Sequence, residues 1–176
     1  MTTTPSWSNL IGKSILTVIL FLGAVPLLTN PQPWIFLDGV NFLFHEAGHW
    51  LFYFFGPTGS LLGGSLTQLL IPLGLLIYFF RKSQYFAAAF TFYWLGDNLI
   101  NVGVYMQDAA TLSLNIIGGL HDWQTLFSQW GYLSQANHLG GFVRFFGQGC
   151  VILGLMLMAV QIIQGFIDKQ TSKEYG

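Results

Sequence analysis

The stretch "IFLDGVNFLFHEAGHWLFYFF", residues 35 to 55, decides the fold because it is long and strongly apolar and still carries ionisable side chains. A helix of this length covers the hydrocarbon core of a bilayer, which is about 30 Å thick. The stretch nevertheless contains Asp38, His45, Glu46 and His49. A charged side chain at the bilayer centre costs about 2.5–3.5 kcal/mol on insertion scales, so such residues face a protein interior or a water-filled cavity. The stretch therefore predicts a membrane helix whose polar face points inward.

The composition of the whole chain supports a membrane location. Only 7% of its 176 residues are charged and 53% are hydrophobic, whereas soluble domains carry about 25% charged residues. A polytopic protein in contact with membrane lipids is predicted. The net charge of −1 argues against a nucleic-acid partner. Cys150 is the only cysteine, which excludes an intrachain disulfide and favours a small packing residue.

The predicted fold is all-α: a single integral membrane domain over residues 1–176 with about five transmembrane helices. The candidate spans are residues 14–28, 35–55, 61–80, 84–106 and 149–167. A polar, partly helical segment, residues 107–141, precedes the last span. The first span could instead be a signal-peptide core, but no cleavage site follows it, which favours a retained helix kinked near Pro26. The sequence does not indicate an oligomeric state.

The orientation follows from the basic residues that flank the spans. With five spans, one side of the membrane carries Arg81, Lys82, Lys169 and Lys173, and the other carries Lys13 and Arg144. The positive-inside rule then places the C-terminus in the cytoplasm. We expect the protein in a bacterial inner membrane.

Polar residues in the second span form a stripe on one helical face. At about 100° per residue, Asp38, Asn41, His45 and His49 fall within roughly 60° of one another. The opposite surface is Phe, Leu and Trp, which suits lipid or packed neighbours.

Two other spans carry matching polar faces. In the fourth span Asp97, Asn101 and Asp108 fall within about 40° of one another, and the third span offers Ser65 and Gln68 one turn apart. We expect these faces to point at one another around a wet or metal-filled centre. The alternative is a set of ordinary interhelical hydrogen bonds, each contributing about 0.6–2 kcal/mol.

The His-Glu-x-x-His motif at residues 45–49 gives the strongest functional prediction. Two imidazoles at i and i+4 lie one turn apart on the same face, as two ligands of a tetrahedral zinc ion require. Glu46 is placed to act as general base on metal-bound water. Ala47 and Gly48 are small, which we expect to leave room for a substrate backbone. Zn²⁺ is the predicted cofactor, another transition metal remains possible, and a purely structural histidine pair is the alternative.

A catalytic zinc ion needs a third protein ligand. The candidates are Asp97, Asp108, His121, Asp122 and His138. Asp108 and His121 are favoured, because the glycines of "GGLHDW", residues 118–123, allow a loop to fold back over the site. For His138 an exposed loop position is favoured.

The motif resembles that of the site-2-protease family of intramembrane zinc metallopeptidases. In that family the His-Glu-x-x-His helix supplies two zinc ligands and the general base, and an aspartate from a later transmembrane helix completes the site. The resemblance implies that His45 and His49 are ligands and that Glu46 is the base. It covers residues 44–49 and the polar neighbouring spans, and "WLGDNLIN", residues 94–101, differs from the Asn-Pro…Asp-Gly element of the family. "HEAGHW" and "GGLHDW" also resemble segments of small uncharacterised bacterial membrane proteins, which implies no activity.

Three functions are compatible with these features. The first is an intramembrane zinc metallopeptidase that hydrolyses peptide bonds of membrane proteins or peptides. The second is a metal-binding membrane protein without protease activity, either an assembly factor or another hydrolase. The third is an ion or proton transporter that uses intramembrane Asp and His residues.

Overall fold

The computed structural model describes residues 6–114 and 120–174, and within those ranges the chain folds into helices joined by short connections, without a strand. The predicted all-α class is therefore confirmed. Gly118 and Gly119, to which the sequence assigned a tight turn, lie outside the described residues.

Six α-helices follow one another along the described chain. They are α1 (Trp7–Thr29), α2 (Phe36–Leu51), α3 (Gly56–Arg81), α4 (Tyr85–Asp108), α5 (Asp122–Trp130) and α6 (Ala136–Glu174). Short 3₁₀ turns at Tyr53–Phe55 and Leu133–Gln135 lead into α3 and α6. The polar segment predicted before the last span contains α5 and the beginning of α6.

Among the described residues, three helical segments are long and apolar enough to cross a membrane: Trp7–Thr29, Tyr53–Arg81 and Leu133–Ser172. This is consistent with a membrane protein. The five transmembrane helices predicted from the sequence are not confirmed, for two physical reasons. Helix α2 has 16 residues and is therefore only about 24 Å long. Helix α4 is long enough, but its polar residues lower its mean hydropathy.

Helix α4 lies at the centre of the bundle, and α6 and α3 pack along it. Its approach to α6 is close because glycines face each other. A Cβ atom on Gly96 would lie 2.7 Å from the backbone oxygen of Gly147, and one on Gly103 would lie 2.7 Å from that of Gly140. The buried polar residues of α4 have hydrogen-bond partners: Asp97 accepts from Asn41, and Asn98 donates to the backbone oxygen of Trp94.

Helix α2, which carries the histidine motif, packs mainly on α3. The two backbones meet at Gly48 and Gly63: a Cβ atom on Gly63 would lie 2.5 Å from the backbone oxygen of Gly48. A Cβ atom on Gly48 would likewise collide with the backbone of Gly63 and lie 2.7 Å from Oγ1 of Thr67. The expectation that Gly48 leaves room for substrate is therefore wrong, because that space is filled by α3.

Contacts between α1, α4 and α6 hold the start of α2 in place. The Tyr93 hydroxyl donates to the backbone oxygen of Leu20 at 3.0 Å. The guanidinium of Arg144 donates to the backbone oxygens of Asn30 at 2.6 Å and Pro31 at 2.9 Å. These bonds fix the short connection from α1 to α2.

Candidate metal centre

The two histidines of the motif lie on the inner face of α2, with ring centroids 4.8 Å apart. The polar stripe predicted for this helix is confirmed, because Asp38 and Asn41 on the same face are buried. Hydrogen bonds also join the three polar faces. Asn41 donates to Asp97 at 2.8 Å, and Gln68 donates to Asn101 at 3.2 Å.

Each imidazole has one nitrogen engaged by a carbonyl oxygen. Nδ1 of His45 lies 2.9 Å from Oε1 of Gln68, and Nδ1 of His49 lies 2.8 Å from the backbone oxygen of Ser60. Because a carbonyl oxygen only accepts, each Nδ1 carries a proton in these bonds. The proton on Nδ1 leaves the Nε2 lone pair available, which is the arrangement common to metal-binding histidines.

The third member of the group is Asp122, at the beginning of α5. Its Oδ2 atom lies 2.9 Å from Nε2 of His45 and 3.4 Å from Nε2 of His49. Among the described residues these three form a group that can hold a metal ion, with all ligand atoms within 4.8 Å of one another.

The donor set of this group fits zinc. Two imidazole nitrogens and a carboxylate oxygen are typical zinc ligands, and three protein ligands leave a fourth position open. Ligand atoms about 2.0 Å from a tetrahedral ion lie roughly 3.3 Å apart, close to the 3.4 Å between His49 and Asp122. When both imidazoles are neutral with the proton on Nδ1, their Nε2 lone pairs and the carboxylate present three acceptors to one point, and a cation satisfies all of them.

Glycine at position 64 makes room for the ring of His45. A Cβ atom at Gly64 would lie 2.7 Å from both Nε2 and Cε1 of that ring. The backbone of α3 therefore approaches the ring closely enough to restrict its orientation.

Helix α5 brings Asp122 to the histidines because its first turn docks on α3 and α4. Trp123 donates its indole N–H to the hydroxyl of Ser65 at 3.0 Å, and the backbone N–H of Asp122 donates to the hydroxyl of Tyr105 at 3.1 Å. The position of Asp122 in the first turn also suits a negative charge, since the helix N-terminus is partially positive.

The electrostatics of Asp122 favour its ionised form. Burial raises the pKa of the Asp122 carboxyl, but its interactions with the imidazoles of His45 and His49 lower it by more, so the net shift is downward. An ionised carboxylate is the form that binds a metal.

Asp108, predicted as a ligand, has its own set of partners away from this group. Its carboxylate accepts from the hydroxyls of Thr111 at 2.9 Å and Ser113 at 2.7 Å, and from the backbone N–H groups of Ser113 at 2.7 Å and Leu114 at 3.2 Å. Burial raises the pKa of Asp108, yet these hydrogen bonds, Ser113 foremost, lower it below its usual value. The carboxylate therefore holds the connection that follows α4.

His121, also predicted as a ligand, caps helix α5. Its Nδ1 accepts from the backbone N–H of Gln124 at 3.2 Å, and its Nε2 lies 3.3 Å from Oδ2 of Asp108. The ring stacks on Tyr105, with centroids 4.2 Å apart. Burial lowers the pKa of His121, although the charge of Asp108 opposes the shift. The neighbouring residue in the chain, Asp122, is the one directed at the motif histidines.

The remaining candidates for the third ligand lie elsewhere. Asp97 is fully buried and accepts from Asn41. His138 is exposed, as expected, although it lies on α6 and not in a loop.

A cavity of about 470 Å³ adjoins the group. Glu46, the predicted base, lines this cavity together with His45, His49 and Asp122. Apolar walls come from residues of the α1–α2 connection, α2, α4 and the region before α5: Trp34, Phe42, Val104, Leu114 and Leu120. A carboxylate beside a metal-binding group and an apolar cavity can move protons during hydrolysis of a bound substrate.

Sequence reasoning left Asp122 among several candidates and did not single it out. The signal that could have found it is the position of Asp122 in the first turn of "DWQTLFSQW", beside a tryptophan able to dock that turn. The roles of Tyr105 and Ser65 in holding the turn depend on contacts distant in sequence, which periodicity does not reveal.

Comparisons with protein-family models, with curated proteins and with solved structures find no match to this chain.

Proposed function

We propose that the protein is an intramembrane zinc metallopeptidase that hydrolyses peptide bonds of membrane-associated substrates. The observation that supports this most is the convergence of Nε2 of His45, Nε2 of His49 and Oδ2 of Asp122 in a wall of the cavity that Glu46 also lines. The resemblance of the motif to that of site-2 proteases agrees with this proposal.

His45, His49 and Asp122 hold the ion in this proposal. When bound there, zinc would lower the pKa of a water molecule toward 7 and polarise a peptide carbonyl. Glu46 takes the proton from the attacking water and delivers it to the leaving amine nitrogen, so that one water and one peptide bond give a carboxylate and an amine. The apolar cavity walls bind hydrophobic side chains of the substrate and reduce the access of bulk water.

We also propose that α2 and α4 lie in the membrane with the three longer helices, which gives five membrane helices. The outward surface of α2 supports this, because Phe36, Leu43 and Trp50 are exposed by 88%, 67% and 79%. The basic residues at 81, 82, 169 and 173 favour a cytoplasmic C-terminus in a bacterial inner membrane. Reporter fusions after residue 82 and at the C-terminus are expected to report the cytoplasm, and a periplasmic signal at either would contradict this orientation.

The peptidase proposal is tested with purified protein in lipid nanodiscs. Metal analysis is expected to find about one zinc ion per chain, and absence of a transition metal would overturn the proposal. Wild type is then compared with Glu46→Gln on quenched fluorescent peptides that contain a transmembrane segment. We expect the variant to retain zinc and to lose cleavage by at least about 100-fold.

Two outcomes of the cleavage assay would favour other functions. If zinc is bound and no peptide is cleaved, the metal-binding protein without protease activity becomes the better reading. Equal cleavage by wild type and Glu46→Gln would remove Glu46 from the mechanism and the peptidase proposal with it.

A further inference from the structure

A chain of part-buried hydrogen bonds connects Asp38, at the beginning of α2, to His45 through two other helices. Oδ2 of Asp38 accepts from the backbone N–H of Ile35 at 2.6 Å, and Oδ1 accepts from Nδ2 of Asn101 at 3.2 Å. Both oxygens of this carboxylate therefore act as acceptors.

The chain continues through two amides, each of which has one donating and one accepting end. Asn101 donates to Asp38, so its Oδ1 is free to accept from Nε2 of Gln68, at 3.2 Å. Gln68 has then used its amino group, and its Oε1 faces Nδ1 of His45 at 2.9 Å. Every bond in this series points from His45 toward Asp38.

The direction of the series follows from the carboxylate. Both oxygens of Asp38 accept, from Ile35 and from Asn101, so Asn101 presents its amino group to the carboxyl, and this choice sets the orientation of Gln68 in turn. Oε1 of Gln68 then accepts a hydrogen bond from His45, which requires that Nδ1 of His45 carries the proton. The lone pair of His45 is left on Nε2, the nitrogen directed at Asp122.

His49 also carries its proton on Nδ1, and a single hydrogen bond is enough to fix it there. Its Nδ1 faces the backbone oxygen of Ser60, which can only accept and cannot change direction. The side-chain amide of Gln68 can rotate and exchange its oxygen and nitrogen, so a further group is needed to fix the orientation of this amide opposite His45. Asp38 and Gln68 are each only 2% exposed, Asn101 between them is half-buried, and all three side chains border the cavity beside the histidines.

We propose that Asp38 is a positioning residue that selects, through Asn101 and Gln68, which nitrogen of His45 is available to the metal. The inference rests on the proposed zinc site and adds to it a residue with no direct contact to the ligand atoms. Outer partners of this kind typically change metal affinity by 10–100-fold when they are altered.

The first experiment is Asp38→Asn, with zinc affinity measured against a competing chelator in detergent. Asparagine at 38 can accept from Ile35 and still donate to Asn101, which lets the whole series reverse and leaves Nδ1 of His45 as an acceptor. We expect zinc to bind 10–100-fold more weakly. Helical circular dichroism checks that the variant is folded.

Asp108→Asn is the matched control. Asp108 is also a buried aspartate, but its hydrogen bonds go to Thr111, Ser113 and Leu114, and not to the series that ends at His45. We expect zinc affinity within about threefold of wild type. An equal loss in both variants would mean that any buried charge matters, and would overturn the proposal.

Comparison of Asp38→Asn with and without Gln68→Glu tests whether Asp38 acts through Gln68. Glutamate at 68 accepts from Nδ1 of His45 whatever residue occupies position 38, because a carboxylate has no donating end. Asp38→Asn should therefore weaken zinc binding when position 68 is glutamine and have no such effect when it is glutamate. The same loss in both backgrounds would show that Asp38 acts only through folding or overall charge.

Histidine-selective ¹⁵N NMR separates this proposal from the zinc peptidase proposal. The Nδ1–H signal of His45 is expected in wild type, both metal-free and zinc-loaded, and should be absent in Asp38→Asn. If the tautomer changes as expected but zinc does not bind or peptides are not cleaved, the peptidase proposal fails and the role of Asp38 stands. If the Nδ1–H signal persists in Asp38→Asn, the role of Asp38 is refuted whatever the activity.

Discussion

Two aspartates flank the connection between α4 and α5, and their carboxylates have different partners. Asp108 accepts four hydrogen bonds from residues that follow it in the chain. Oδ2 of Asp122 faces Nε2 of two imidazoles, and Nδ1 of each imidazole is hydrogen-bonded to a carbonyl oxygen. A carboxylate surrounded by fixed donors is already satisfied and stabilises local structure, whereas one beside two imidazole nitrogens can bind a metal ion together with them.

The largest effect that separates the two aspartates is stabilisation by zinc. A ligand that binds only the folded state stabilises it by about 4 kcal/mol at a free concentration a thousand times Kd. We expect wild type and Asp108→Asn to melt at a higher temperature with zinc, and Asp122→Asn to gain less than half of that increase at the same concentration. Thermal unfolding in detergent with and without zinc measures this, and an increase in Asp122→Asn equal to that of wild type would refute the assignment of Asp122 as a ligand.

The second effect is on zinc affinity itself. Asp122→Asn removes a ligand charge and should weaken binding by more than about 100-fold, beyond the range typical of outer partners. Asp108→Asn is the matched control and should remain within about threefold of wild type. If Asp108→Asn were the more damaging of the two, the contrast between the aspartates would be reversed. Chelator competition gives both values.

The third effect concerns the stability of the metal-free protein, where Asp108→Asn is expected to be the more damaging of the two substitutions. Asp108→Asn loses charge-assisted hydrogen bonds at a buried position, which costs about 1–3 kcal/mol. Asp122→Asn should cost less, because the asparagine can donate to an imidazole nitrogen. Chemical unfolding of the metal-free variants tests this order. Equal stabilities would contradict the structural role given to Asp108.

The smallest effect concerns the docking of α5, which carries Asp122. Trp123→Phe keeps an aromatic ring and removes the hydrogen bond to Ser65, which should cost about 0.5–1.5 kcal/mol. Zinc affinity is expected to fall a few-fold, since the first turn of α5 is held less firmly. Ser65→Ala should have the same effect, and the double variant should add nothing to either. Additive losses would show that the two side chains act independently.

Helical periodicity accounts for what could be predicted of the site. The phase of residues on one helix depends only on local backbone geometry, so the stripe that includes His45 and His49 could be read from their spacing. The burial penalty for polar groups in an apolar bundle also predicted correctly that Asn41, Gln68 and Asp97 face other helices. The number of membrane helices is harder to predict from the sequence, because α2 is short and α4 is covered by its neighbours.

The sequence by itself determined an all-helical chain with apolar segments of membrane-spanning length, and it placed two histidines one turn apart with a glutamate directly after the first. These properties depend on composition and on the geometry of a single helix. Only the tertiary structure decided that Asp122, and not Asp108 or its own neighbour His121, lies beside the histidines. Adjacent residues at a helix start point in different directions, and which one reaches the site depends on how Trp123 and Tyr105 dock that turn against distant helices.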